Sequence, residues 1–327
     1  MKNILIIKLG ALGDVASGTA MLSAIRQRFP EARVTWMAGT GAAELLSLLR
    51  EPPEIVRVDD AALLRGSFAQ RLAAVFAANR LIAGRVYDLA LIPYRDRLYH
   101  ALCLGAWCKR TRSFRNRRGI IPGRARCAEY ARLILEKDDT NMPVPVFPEL
   151  DASKLPSTIQ TPAVLLAPGG ARNFLADDAV RRWPLEKYKE LARLLLSHGL
   201  TVGIIGGKDD VAESAAFAGL PVTNFVGKTD IPGLFGLLRE ARVLVSHDTG
   251  PIHCMNLLQG NVVALFGPTL AREVLGSGTN IRTLSGGDGL PCRPCYDGKH
   301  FAACDNALCM QEISPGSVLE AVSAFLR

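Results

Sequence analysis

The sequence predicts two successive α/β domains, each a parallel sheet covered by helices. Three observations predict it. Short apolar runs alternate with stretches of helical period along most of the 327 residues, the pattern of strand–helix–strand units. That alternation is interrupted once, near the middle, by a passage holding Pro143, Pro145, Pro148, Pro156 and Pro162, which reads as a linker. Hydrophobic content is 49% with only 6% aromatics, and much of it is Ala, Leu, Ile and Val, as in soluble α/β proteins. A chain of this length suits two cores better than one. The expected domains are 1–150 and 151–327, with the last helix able to pack back on the first domain.

In order, strands are expected over 3–9, 33–37, 55–58 and 88–92, with helices over 15–29, 41–50, 68–83 and 125–136. After the proline passage come a strand over 163–167, a helix over 185–198 and a strand over 201–205. A helix near 211–218, a strand over 222–226 and a helix over 231–240 follow, then strands over 243–246 and 262–266. The opening run from Ile4 to Ile7 is too short for a secretory segment and reads as a buried strand. No apolar run reaches the length of a membrane span. A cytoplasmic enzyme is the expectation. Two parallel sheets also imply a cleft at their strand ends, where ligands bind.

Charge is unevenly spread. The whole chain carries +8, yet Arg95 to Arg126 alone holds ten Lys and Arg against one acid, Asp96. That segment is a solvated basic face or a docking surface for a polyanion such as anionic lipid, a phosphorylated glycolipid or nucleic acid. Aromatics are sparse there and no nucleic-acid module is recognisable, so nucleic acid ranks last.

Four short motifs carry chemistry. Asp248-Thr249-Gly250-Pro251-Ile252-His253 follows an apolar run and opens a helix. Thr249 or Asp248 can cap that helix, Pro251 suits its first turn, and the free N–H groups with His253 favour an anion. Lys8-Leu9-Gly10-Ala11-Leu12-Gly13-Asp14 closes the first strand. Its glycines are spaced unlike a dinucleotide fingerprint. Asp14 sits where an N-cap belongs; as chemistry it is a carboxylate kept ionised by a helix N-terminus and able to take a proton from a hydroxyl. Pro168-Gly169-Gly170-Ala171-Arg172-Asn173 is a Gly-rich strand-end loop, and Arg181 or Arg182 beside it could neutralise a diphosphate. Gly206-Gly207-Lys208-Asp209 ends another strand, where an acid can meet ribose hydroxyls or cap a helix. No Asp-x-Asp pair occurs, which disfavours a transferase that relies on a carboxylate-held divalent ion.

Of eight cysteines, four cluster in sequence: Cys292, Cys295, Cys304 and Cys309. They could hold a structural zinc or stand as packed thiols. Cys103, Cys108, Cys127 and Cys254 read as ordinary buried thiols.

Taken together, these residues resemble glycosyltransferase family nine, the lipopolysaccharide heptosyltransferases. The resemblance covers essentially the whole chain. It rests on the opening through Gly13-Asp14, Arg28-Phe29-Pro30, Arg182-Trp183-Pro184, Gly206-Gly207-Lys208-Asp209, Asp248 to His253 and Leu265-Phe266-Gly267-Pro268-Thr269, in that order, with Cys309-Met310 before the last helix. It implies a GT-B fold of two Rossmann-like domains facing a cleft, and inverting transfer of heptose from ADP-heptose to a lipopolysaccharide inner-core acceptor. No metal or other cofactor is implied. Asp14 would be the general base. Asp248, Thr249, Gly250, His253, Arg181, Arg182, Asp209 and Gly169 would hold the donor. The acceptor would meet Lys8, Gly13, Arg95, Arg97, Arg117 and Arg118, with the enzyme at the cytoplasmic face of the inner membrane. Another nucleotide sugar or acceptor, or a non-catalytic nucleotide-sugar-binding protein, are the alternative readings.

Overall fold

The computed structural model describes residues 1–327 except 116–118, 136–145, 158–159, 173–176, 277 and 297–300. It divides into two compact units, Met1–Ala152 and Ser153–Arg327.

Unit 1 contains β1 (Asn3–Ile7), β2 (Arg33–Ala38), β3 (Glu54–Arg57), the short pair β4 (Val86–Tyr87) and β6 (Trp107–Cys108), β5 (Leu89–Ile92) and β7 (Thr111–Ser113). Its main sheet runs β3-β2-β1-β5-β7, and every pairing is parallel. Order reverses beside β1, so the carboxyl end of β1 is the switch point where such sheets take ligands. Ile4 to Ile7 have no exposure, because the sheet is covered on both faces. The helices are α1 (Leu12–Gly18), α2 (Ala20–Arg28), α3 (Thr40–Ser47), α4 (Asp60–Arg65), α5 (Phe68–Leu81), α6 (Arg97–Ala101) and α7 (Arg126–Leu135). The single helix expected over 15–29 is two, divided at Thr19, whose hydroxyl turns back to the Ala16 carbonyl at 2.6 Å.

Unit 2 contains β8 (Val164–Ala167), β9 (Val202–Ile204), β10 (Thr223–Asn224), β11 (Val243–His247), β12 (Val262–Phe266) and β13 (Ile281–Ser285). The sheet order is β10-β9-β8-β11-β12-β13, again parallel, with the switch between β8 and β11. Its helices are α8 (Leu185–Ser197), α9 (Val211–Ala215), α10 (Ile231–Glu240), α11 (Gly250–Leu257), α12 (Ala271–Val274), α13 (Leu308–Gln311) and α14 (Pro315–Leu326). Asp230 caps α10 through the Gly233 N–H at 2.8 Å, with Pro232 in the first turn. The last helix, which the sequence left able to return to the first domain, packs on α8, β11, β12 and β13 of its own unit. Val318 and Val322 are its fully buried anchors.

Candidate functional site

In unit 1, β1 delivers Lys8 to the switch point and α1 delivers Asp14. Asp14 is not the N-cap: Ala11 holds that position, and Asp14 is the third residue of the helix. Capping therefore does not explain it. The Lys8 ammonium is 2.7 Å from Asp14 Oδ2 and donates to the Gly10 carbonyl at 3.0 Å. The lysine side chain is 1% exposed, whereas that of Asp14 is 46% exposed. A buried cation thus anchors one carboxylate oxygen while the group stays open to solvent. Lys8 was expected to meet an acceptor; its ammonium contacts Asp14 and the Gly10 carbonyl. Gly13, also expected to meet the acceptor, is buried in α1.

Phenols surround this pair. Tyr130 donates to Asp14 Oδ1 over a long 3.4 Å, and the Lys8 ammonium lies 5.4 Å from the Tyr94 ring centroid. Burial pushes the Tyr99 and Tyr130 hydroxyls well above the ordinary phenol range, and Asp14 adds to the effect. Both remain protonated donors at neutral pH. The sequence motifs missed these tyrosines, since no spacing links residue 130 to residue 14.

The basic segment is only partly a surface. Arg95, Arg97, Arg110 and Arg115 are exposed. Arg112, however, is buried and donates to the Leu133 and Ile134 carbonyls at 3.0 and 3.2 Å, satisfying the end of α7. Arg124 and Arg132 flank the fully buried Glu129 at 3.1 and 2.9 Å. Lys109 pairs with Asp88 at 2.8 Å. Among the described residues of the segment, Arg112 and Arg124 are thus internal scaffolding, while five of its cations are exposed. Arg117 and Arg118 lie outside the described residues.

In unit 2 the site is a set of strand-end loops tied by side chains. The Asp248–His253 turn follows β11. Thr249 takes the N-cap backbone position of α11, but its side chain does not cap; Oγ1 accepts the Ala171 N–H at 3.0 Å. The hydroxyl expected to close the helix joins two loops instead and leaves the first turn without a side-chain cap. A Cβ at Gly250 would meet nothing within 4 Å, so the backbone there faces open space. His253 is half-buried on the first turn. The Asp248 carboxylate accepts the Thr269 hydroxyl at 2.9 Å and lies 3.5 Å from Arg181. Arg181 also donates to the Asp248 carbonyl at 3.0 Å and pairs with Asp178 at 2.9 Å. Its Nε is buried with no hydrogen-bond partner among the described residues.

Arg182 Nε holds the Gly170 carbonyl at 2.9 Å. Gly169 and Gly170 are required there: a Cβ on the first would collide with Asp210 and on the second with Thr249, and Gly170 has φ +81°. Asp209, expected to meet ribose, is exposed, and its carbonyl accepts from Arg172 at 2.7 Å. The structurally active acid is its neighbour. Asp210 is buried and accepts N–H bonds from Gly170 and Gly207, both at 2.8 Å, with Arg172 at 3.2 Å.

Beneath the turn, His247 is fully buried. The Tyr188 hydroxyl accepts the His247 backbone N–H at 3.1 Å and meets Nδ1 at 3.0 Å. Burial, with Arg181 and Arg182 nearby, lowers this imidazole to about 3.

The four clustered cysteines differ in exposure. Cys309 is buried, Cys295 half-buried, and Cys292 and Cys304 exposed. Among the described residues no group of three His, Cys, Asp or Glu is placed to hold a metal ion. Cys304 Sγ accepts the Ala307 N–H at 3.2 Å. Of the thiols expected to be buried, Cys127 and Cys254 are, while Cys103 and Cys108 are half-buried free thiols, Cys103 donating to the His100 carbonyl at 3.1 Å.

Comparison with known proteins decides the family. The family model for glycosyltransferase family 9 (heptosyltransferase) matches residues 130–302. The chain belongs to this family. The lipooligosaccharide heptosyltransferase 2 of Haemophilus ducreyi is 25% identical to this family 9 glycosyltransferase over 306 residues, covering 81% of this chain and 83% of that one. The structure of E. coli ADP-heptose LPS heptosyltransferase II has TM-score 0.73 at 19% identity, over 100% of this chain and 98% of that chain. E. coli heptosyltransferase WaaC with ADP-2-deoxy-2-fluoro heptose has TM-score 0.72 at 17% identity, over 98% and 99%. The glycosyltransferase therefore has the GT-B fold, one parallel sheet in each unit. Among the described residues no helix is long and apolar enough to cross a membrane.

Proposed function

We propose that this glycosyltransferase moves a heptose from ADP-heptose to a lipopolysaccharide inner-core acceptor by single displacement, with Asp14 as the base. The observation that carries the reading is the Asp14 carboxylate, anchored by a buried lysine at a switch point yet 46% exposed. In the proposed step Asp14 takes the proton of an acceptor hydroxyl. The oxygen attacks the anomeric carbon, the bond from that carbon to the β-phosphate oxygen breaks, and ADP leaves with the electron pair and inverted configuration results.

The donor half is proposed for unit 2. Negative charge grows on the departing diphosphate, and the uncapped first turn at Gly250 and His253, with Arg181 and Arg182, supplies positive potential there. Such pre-aimed donors are each worth about 3 kcal/mol in a transition state. The family relatives bear heptosyltransferase names, and one neighbour holds an ADP-heptose analogue, which supports this donor. The chain contains no Asp-x-Asp pair, so the proposed step leaves phosphate charge to arginine and helix N–H groups. A glycolipid acceptor is anchored in a leaflet, and the exposed arginines 95 and 97 suit its phosphates at a cytoplasmic membrane surface.

The test is incubation of the purified protein with ADP-heptose and a heptose-deficient inner-core acceptor, reading the acceptor's mass and released ADP. One added heptose per acceptor with equal ADP is expected. Turnover with a different nucleotide sugar and none with ADP-heptose would overturn the donor assignment.

A further inference from the structure

Helix α5 is fourteen residues long and fully buries only Ala78. A helix that merely packs on a sheet turns its apolar stripe inward. Here the stripe faces out. Phe68, Leu72 and Phe76 recur every fourth residue, so they share one face, and they are 84%, 61% and 66% exposed. Ala69, Ala73 and Ala77 beside them are exposed as well.

The surface continues past the helix end. The Asn79 amide donates to the Ala101 carbonyl at 2.9 Å, and its Oδ1 accepts the Gly105 N–H at 2.5 Å. These bonds pin the turn carrying Leu104 and leading into Trp107 of β6, which are 79% and 72% exposed. A single exposed leucine needs no account, but large apolar side chains gathered on one helix face and the turn bound to it mark an interaction surface.

Charge selects the occupant. From Arg65 to Tyr87 there are four arginines and no acid. Arg85 pairs with Glu54 at 2.6 Å. Arg65, Arg71 and Arg80 are exposed, and the Arg80 guanidinium lies 6.0 Å from the Phe76 ring centroid. A second copy seated face to face would set arginine against arginine. An anionic lipid surface meets both features at once, the rings entering the acyl boundary and the arginines meeting phosphates.

We propose that α5, the turn bearing Leu104 and the adjoining Trp107 of β6 form a docking face for an anionic phospholipid bilayer. This deepens the membrane-surface placement proposed above and is independent of the transfer chemistry. The test is co-flotation of the full-length protein with phosphatidylcholine vesicles, with and without phosphatidylglycerol. Wild type binds the anionic vesicles, and added salt weakens the binding. The triple substitution Phe68→Ser, Leu72→Ser and Phe76→Ser weakens it by about tenfold or more, and Arg71→Gln with Arg80→Gln removes its dependence on phosphatidylglycerol.

A second measurement needs no substitution. Trp36 and Trp183 are buried, leaving Trp107 as the exposed tryptophan of three. Lipids brominated in the acyl chain therefore quench wild-type emission. Absence of quenching, unchanged flotation of the triple variant, or a dimer that the triple substitution dissociates would each overturn the proposal. Transfer to a soluble acceptor lacking acyl chains is unaffected by the triple substitution. If wild type docks but transfers nothing to that acceptor, the docking face stands and the heptosyl-transfer reading falls.

Discussion

In its proposed role as base, Asp14 has two demands to meet. A base must stay ionised and must also reach a substrate, and burial would defeat both. Lys8 resolves this by carrying the burial itself, reaching up from β1 to hold Oδ2 while the carboxylate remains open. Asp14→Asn keeps the size of the group and loses the proton acceptor, so kcat should fall by about 10²–10⁴-fold. ADP affinity, read by calorimetry, should be unchanged; a variant that retains wild-type turnover would remove Asp14 from the mechanism. His247 makes a different prediction. Its folded-state value of about 3 lies below the ordinary 6.5. The unfolded chain therefore binds a proton that the folded chain refuses between those values. Stability from this group is complete above about pH 6.5 and declines as pH falls towards 3, by up to about 1.4 kcal/mol per pH unit. Urea titrations at about pH 7 and about pH 5 should show a smaller acid loss in His247→Gln than in wild type; equal losses would contradict a neutral buried ring.

At the scale of elements, the loops proposed to hold the donor are tied by side chains where a backbone ladder cannot reach. Asp210 bonds two separate loops through Gly170 and Gly207. Asp210→Ala strands both N–H groups and should cost about 3 kcal/mol or more of stability, visible as a lowered denaturant midpoint. Gly170→Ala meets a positive φ and the Thr249 hydroxyl together. Its donor KM should rise several-fold while unit 1 is undisturbed, and a normal KM would show the loop to be uninvolved. These elements also mark how far the sequence could be read. Strands β1, β2, β8, β11 and β12 were legible because burial on both faces demands unbroken apolar runs. β7 was not, since its Arg112 is a buried arginine that reads as surface, and neither was β13, whose Ile281–Ser285 is mostly exposed. Asp14 and the Asp248–His253 turn were visible as motifs, but Thr249's partner was not. A hydroxyl can cap its own helix or bind a loop 78 residues away, and local sequence holds no preference between them.

At the scale of the whole molecule, ligand binding to unit 2 gives a test that spans the chain. ADP at about one hundred times its dissociation constant should stabilise the fold by about 2.7 kcal/mol. Hydrogen exchange should slow at 168–172 and 248–253 and not at the β1–α1 turn. Protection confined to the β1–α1 turn would reverse the assignment of donor and acceptor halves. The bonds among Thr249, Ala171, Asp210, Arg181, Arg182 and Thr269 also begin and end within Ser153–Arg327. Such a closed circuit is portable. With the donor and acceptor halves as proposed, a chimera that grafts another family member's first half onto this second half would inherit this protein's nucleotide preference while exchanging its acceptor, so the two specificities could diverge in evolution one at a time.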